Sequence, residues 1–322
     1  MIYSFEKTGK DLNEFIDFLK ERRFDYELIE REKIVVRIFG SISEEQKTVL
    51  DKISRRNGSL VLKKNTPETA DNGRQFIKTP LVIAGPCSVE SEEQLEKTAA
   101  FISGLGIKYL RGGAFKPRTS SASFQGLGRK GLELMAQVAS RNNLKIVTEV
   151  MDRSQLDLVE RTADIIQVGS RNMFNYSLLT VLGAVDKPVL LKRGMAATID
   201  EWVKAAGYIL KGGNERIILC ERGIRTFEPE TRFTLDILAV PIARQKSGLP
   251  VIVDASHAAG RRHLVPILMK AALAAGADGV MVEVHPDPSH ALSDGAQSMT
   301  FDDFTTIFKE LNAMKFLPDR LE

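Results

Sequence analysis

Four side chains far apart in the chain, Cys87, His257, Glu283 and Asp294, offer a thiolate, an imidazole and two carboxylates. A mixed sulfur, nitrogen and oxygen set suits one divalent transition metal ion, Mn, Fe, Co or Zn, rather than Mg or Ca. The spacing matches no compact metal motif. Taken singly, Cys87 could be a small buried hydrophobe and His257 an ordinary hydrogen-bonded histidine. A second group is cationic: Arg111, Lys116, Arg118, Arg171, Lys192, Arg193, Arg222 and Arg225, with glycine-rich turns nearby. Guanidinium forks grip phosphate or carboxylate at two points, so this many cations implies substrates with several anionic groups. Arg193 follows Lys192 and faces the other side of its strand, where an ion pair with a neighbouring acid is the better account. His285 shares strand parity with Glu283 and could support it, whereas His263 and His290 are less well placed. Cys220, inside an apolar run, reads as core.

The elements that must position these groups recur with one rhythm. Apolar, β-rich runs fall at 81–84, 108–111, 145–149, 165–168, 188–192, 216–221, 251–254 and 279–283. Helical patterns lie between them, as over 91–105, 131–142, 199–211 and 264–275. Eight such units in about 240 residues predict a (β/α)8 TIM barrel, with an open doubly wound sheet as the structural rival. Each run ends in polar or glycine-rich sequence: Gly85-Pro86-Cys87, Arg111-Gly112-Gly113, Glu149, Gly169-Ser170-Arg171, Lys192-Arg193-Gly194, Glu221-Arg222-Gly223, Asp254-Ala255-Ser256-His257 and Glu283-Val284-His285. In a barrel all eight endings face one mouth, where active sites are built. The candidate metal donors come from the ends of runs one, seven and eight and the segment after run eight. They become neighbours only if the eighth strand pairs with the first, so the donor set argues for closure.

The first 65 residues differ. A short strand at 2–5, an amphipathic helix with Leu12, Phe15 and Leu19, a hairpin spanning 25–39, a helix opening at Ser43 and a strand at 59–63 give the order β-α-β-β-α-β, a ferredoxin-like module. Nothing in it is catalytic by residue type. Residues 66–75 are polar and broken by Pro and Gly, a linker, leaving 76–322 for the barrel. The 45 Lys+Arg nearly balance 42 Asp+Glu, and a net charge of +3 is too weak to imply nucleic acid. Two distant cysteines form no disulfide framework, the start has no apolar signal region and no window is long enough to span a membrane. A cytoplasmic protein is the expectation.

Four segments are also familiar together: Ala84-Gly85-Pro86-Cys87-Ser88-Val89-Glu90, Gly112-Gly113-Ala114-Phe115-Lys116-Pro117-Arg118-Thr119-Ser120, Val253-Asp254-Ala255-Ser256-His257, and Glu283 with Asp294-Gly295. From about Phe76 to Phe316 the chain resembles the 3-deoxy-D-arabino-heptulosonate 7-phosphate (DAHP) synthases, type I, β subgroup, some of which carry an N-terminal ferredoxin-like domain. The resemblance implies condensation of phosphoenolpyruvate with erythrose 4-phosphate at the head of aromatic amino acid biosynthesis. Carried over by residue, it implies Cys87, His257, Glu283 and Asp294 as metal ligands. It places Arg111 and Lys116 at the phosphoenolpyruvate carboxylate, and Arg171, Lys192 and Arg222 at its phosphate. Pro117, Arg118, Thr119 and Ser120 fall to erythrose 4-phosphate. Lys116, a metal-bound water, Glu149 or Asp254 remain alternatives for proton transfer. It further implies a homo-oligomer, a tetramer, with Tyr or Phe as an inhibitor bound through residues 1–65; a purely oligomerising or stabilising module is the plainer alternative. The related octulosonate 8-phosphate synthases typically have Ala-Asn where Pro117 follows Lys116. A Schiff-base aldolase using Lys192, and a non-catalytic sugar-phosphate binder, are the other readings.

Overall fold

The computed structural model describes residues 2–5, 10–24, 26–30, 34–38, 44–55, 61–62, 76–77, 80–116, 120 and 122–316. The chain divides into two compact units, Met1–Asn72 and Gly73–Glu322. In the first, β1 (Ile2–Phe5), α1 (Lys10–Glu21), β2 (Tyr26–Glu30), β3 (Ile34–Ile38), α2 (Glu44–Arg55) and β4 (Val61–Leu62) follow in order. The strands form one antiparallel sheet in the order β2-β3-β1-β4. This is the split arrangement that the element order predicts. Leu12, Phe15 and Leu19 recur at helical spacing and are buried with Leu50 and Ile53 of α2 and Val36 and Ile38 of β3. Ser43 and residues 66–75 lie outside the described residues.

The second unit is a closed parallel barrel. Its strands are β5 (Leu81–Gly85), β6 (Tyr109–Arg111), β7 (Lys145–Val150), β8 (Ile165–Val168), β9 (Val189–Lys192), β10 (Ile217–Glu221), β11 (Val251–Asp254) and β12 (Gly279–Glu283). Each begins and ends within one residue of its expected run. The helices are α3 (Glu92–Gly104), α4 (Arg129–Arg141), α5 (Leu156–Thr162), α6 (Tyr176–Leu182), α7 (Ile199–Lys211), α8 (Ala239–Ser247), α9 (Ala255–Ala259), α10 (Val265–Ala274) and α11 (Phe301–Ala313). Among the described residues no helix is long and apolar enough to cross a membrane.

The two-residue pleat explains how one strand serves both core and site. Residues such as Val82, Ala84, Leu191, Val253 and Val282 face outward and pack against the helices. The alternate set, Leu81, Ile83, Val147, Ile165, Leu190, Ile218, Cys220, Ile252 and Met281, fills the barrel interior. Cys220 is therefore packing, as its apolar run suggests. One step further along the same inward face stand Arg111, Glu149, Gln167, Lys192, Arg222, Asp254 and Glu283. Parity thus delivers charged side chains to the mouth directly above a dry interior.

Closure is made by β12 against β5, with Gly279 opposite Leu81 and Glu283 opposite Gly85. Gly279 has no substitute there, because a Cβ would fall 2.1 Å from the carbonyl oxygen of Leu81. Relief requires the closing strands to separate. Gly279→Ala is expected to cost about 1–3 kcal/mol, the usual range for overpacking. A fall in the urea midpoint measures it; an unchanged midpoint would contradict this account of the seam.

Candidate active site and metal centre

The sequence at the end of β5 turns sharply so that Cys87 looks back over the barrel mouth. Gly85 makes this turn with φ +150°, and a Cβ there would lie 2.2 Å from the carbonyl oxygen of Arg111. His257 arrives differently. Asp254 ends β11 and caps α9, its Oδ1 accepting from the His257 backbone N–H at 3.0 Å. Glu283 ends β12, and its backbone N–H donates to Ser256 Oγ at 2.8 Å. Asp294 sits in the segment before α11 with a left-handed φ of 51°. From these four places the Cys87 thiol, the His257 ring and the Glu283 and Asp294 carboxylates bring donor atoms within 4.8 Å of one another.

The corner is braced on every side. Cys87 Sγ donates to Asp294 Oδ2 at 3.2 Å, and Lys116 Nζ donates to both the sulfur and the carbonyl oxygen of Cys87 at 2.9 Å. Arg111 Nη1 donates to Glu283 Oε1 at 2.6 Å and Nη2 to the Cys87 carbonyl at 3.3 Å. Gln297 Nε2 donates to Glu283 Oε2 at 2.7 Å. Arg232 Nη1 spans Asp294 Oδ1 at 3.2 Å and Gln297 Oε1 at 2.7 Å. His257 Nε2 points at the carboxylates, 3.5 Å from Glu283 Oε1 and 3.7 Å from Asp294 Oδ2. Its Nδ1 is 2.8 Å from Asp254 Oδ2, close enough for strong electrostatic contact although the angle makes no hydrogen bond. Asp254 also accepts from the buried Lys192 ammonium, so one carboxylate serves two neighbours.

Electrostatics sort the donors. Burial pushes the Cys87 thiol up to about 12, with the Glu283 carboxylate adding to the effect and Lys116 opposing it. Burial also disfavours the His257 cation, lowering its pKa despite Asp254 and Glu283. Burial works against ionised Asp294, yet His257, Arg232 and the Cys87 thiol hold it well below the usual carboxylate range. Glu283 is likewise lowered, burial being outweighed by His257 and Arg111. At neutral pH the corner therefore offers a neutral imidazole, two carboxylates and a thiol. This set fits one divalent ion once the thiol proton leaves.

The cationic group divides. Arg193 pairs with Glu221 and Asp236, each at 2.9 Å, as its strand parity suggests. Arg111 and Lys192 carry carboxylate partners, although the Arg111 Nε–H is buried without one. Among the described residues Arg222 has no acid within ion-pair distance. It is buried with its guanidinium 3.9 Å from the centroid of the Phe233 ring, and burial lowers its pKa to about 10, which leaves it cationic at neutral pH. Such a group is a natural anion site. Arg171 and Arg225 are exposed, as is Ser120, whose Oγ accepts from Ala122 N at 3.3 Å. Pro117, Arg118 and Thr119 lie outside the described residues. Glu149 accepts from Gln167 Nε2 at 3.0 Å. Sequence reasoning missed the bracing roles of Gln297 and Arg232, which have no motif. It also missed the double duty of Asp254, whose place before a helix-capping turn was the available signal.

Fold and site together define a (β/α)8-barrel enzyme with four candidate metal donors beside a cationic mouth. The model of the DAHP synthetase I family matches residues 43–317, and the chain belongs to that family. A phospho-2-dehydro-3-deoxyheptonate aldolase of Thermotoga maritima is 56% identical over 241 residues, 74% of this chain and 70% of that protein. A solved structure of the Thermotoga maritima DAHP synthase aligns with 97% of this chain and 96% of its own, at TM-score 0.74 and 42% identity. More distant is a 2-dehydro-3-deoxyphosphooctonate aldolase of Desulfatibacillum aliphaticivorans, 34% identical over 270 residues, 78% of this chain and 98% of that protein.

The donor states give a signed expectation. Because His257 is neutral and both carboxylates are ionised, the proton displaced by a thiolate-binding metal comes from Cys87. Zn2+ titration calorimetry at pH 7 in buffers of different protonation enthalpy is expected to report release of about one proton. Apparent affinity should rise with pH while the thiol remains protonated. Buffer-independent heats would exclude the thiolate as a ligand.

Proposed function

We propose that this chain condenses phosphoenolpyruvate with erythrose 4-phosphate and water to give DAHP and inorganic phosphate. The observation that carries the reading is the convergence of Lys116 and Arg111 on the Cys87 carbonyl, which puts two fixed cations against the four-donor corner. The 56% identity to the Thermotoga maritima heptonate enzyme, against 34% to the octonate relative, supports the four-carbon aldehyde.

In that reaction C3 of phosphoenolpyruvate bonds to the aldehyde carbon, and the aldehyde oxygen takes up a proton. The cationic centre left at C2 adds water, which gives up a proton. The resulting hemiketal phosphate breaks its C2–O bond, releasing phosphate and leaving the ketone. A divalent ion held by Cys87, His257, Glu283 and Asp294 would supply Lewis acidity toward the aldehyde when bound. We assign Arg111 and Lys116 to the phosphoenolpyruvate carboxylate, and Arg171, Lys192 and Arg222 to its phosphate. Fixed cations at both ends orient C3 and oppose charge build-up as phosphate departs. Pro117, Arg118, Thr119 and Ser120 take the erythrose 4-phosphate end. Among protein groups, Lys116, Glu149 and Asp254 are the alternatives we assign for proton transfer. The Schiff-base reading loses support because Lys192 Nζ is engaged by the buried Asp254 carboxylate.

The proposal extends to residues 1–65 as a regulatory module, joined by 66–75 to a catalytic barrel over 76–322 in a cytoplasmic homotetramer, with Tyr or Phe as effector. A truncated Thermotoga maritima DAHP synthase structure, at TM-score 0.68 and 52% identity, aligns with 72% of this chain and 85% of its own, which supports a separable module. A phosphate-release assay on the full chain tests the whole reading. Turnover is expected with erythrose 4-phosphate, to fall to background in EDTA, to return with Mn2+ or Zn2+, and to drop when Tyr or Phe is added. Undiminished turnover in EDTA would overturn the metal role; preference for arabinose 5-phosphate would favour the octonate reaction. Equal rates with and without Tyr and Phe would remove the regulatory part.

A further inference from the structure

Two of the four donors stand on regular elements and two do not. Glu283 ends a strand and His257 lies in α9, whereas Cys87 and Asp294 belong to irregular segments that approach each other from distant parts of the sequence. Irregular backbone does not by itself hold a donor to the few tenths of an ångström that a metal site requires. Something must tie these two segments together.

The tie is a buried polar chain beside the donors. Ser88, next to Cys87, and Ser293, next to Asp294, meet hydroxyl to hydroxyl at 2.6 Å, and both are fully or nearly fully buried. Ser88 Oγ also lies 3.2 Å from Glu90 Oε1. A carboxylate only accepts, so Ser88 donates to Glu90 and Ser293 donates to Ser88. The same Glu90 oxygen accepts the backbone N–H of Leu292 at 2.9 Å. Its other oxygen lies 3.4 Å from His285 Nε2, within electrostatic reach although no hydrogen bond forms. His285 Nδ1 accepts from the Asp287 backbone N–H at 3.0 Å, which leaves the ring proton on Nε2, toward Glu90. Gln94 anchors the near side to α3, its Nε2 donating to the Ser88 carbonyl at 3.2 Å. One carboxylate thus collects groups from 88, 285 and 292, immediately around two donors.

We propose that Glu90 is a positioning residue for the metal centre, clamping the Cys87 and Asp294 segments together through Ser88, Ser293, Leu292 and His285. The inference rests on the metal reading above and deepens it. The clamp acts on the thiolate–carboxylate pair. Its loss should let Cys87 and Asp294 drift apart, with His257 and Glu283 left in place.

Co2+ titration of the full chain, followed by the cobalt–thiolate charge-transfer absorption, tests this without reference to turnover. Glu90→Ala is expected to weaken Co2+ binding 10–100-fold, the usual consequence of deleting an outer partner of a metal ligand, and to lower the thiolate absorption at saturation. Glu90→Gln keeps an acceptor for Ser88 and Leu292 but turns an N–H toward His285, so it should fall between. Ser293→Ala, which removes only the hydroxyl link, should weaken binding several-fold and keeps the test decisive should Glu90→Ala fail to fold. Affinities of Ser293→Ala and Glu90→Gln within twofold of the unsubstituted chain would overturn the clamp. A failure of the unsubstituted chain itself to bind Co2+ would overturn the metal reading and the clamp with it.

Discussion

The pairing of the last barrel strand with the first is the constraint on which the site depends. β12 against β5 places Glu283 opposite Gly85, two residues before Cys87, and so brings the two ends of the donor set together. Without it, Cys87 and the donors from the end of the chain would stand on opposite edges of an open sheet. A one-residue slip would turn Glu283 outward among the helix-facing positions and bring Val282 to the mouth. Gly279 enforces the fit from below by allowing the two backbones to touch.

The interior of the corner is a set of buried charged and polar groups, each costly alone and tolerable only together. Arg111 offsets Glu283, Lys192 and His257 share Asp254, and Arg232 steadies Asp294. Removing one member would strand its partner, so the array is more rigid than any single pair would be. Arg222 differs. It is buried without an acid and leans on the face of Phe233, a contact that softens the cost of burial and leaves its charge available for an anion.

Much of this was legible in the sequence, because strand ends were marked by residues that a buried strand tip does not carry without reason. Eight polar endings after eight apolar runs led to the barrel, and the dispersed donors led to its closure. Arg193 was separable from Lys192 by parity alone. What could not be read was pairing at long range. That Arg111 grips Glu283 depends on which strand ends meet across the mouth, and that Gln297 bridges Glu283 and Arg232 depends on how the segments after β10 and β12 lie over it; no local period encodes either. Asp254 was visible as a candidate acid, yet its contacts with both Lys192 and His257 required the structure. The stretch around Pro117 to Thr119 carried the most specific family motif and lies outside the described residues.

The central claim is that barrel closure assembles one mixed-donor metal centre containing a single thiolate. X-ray absorption spectroscopy of the zinc-loaded full chain addresses it directly. The account predicts one sulfur scatterer at about 2.3 Å with the rest of the shell nitrogen and oxygen, and loss of that sulfur in Cys87→Ser. A shell made only of nitrogen and oxygen in the unsubstituted chain would contradict it.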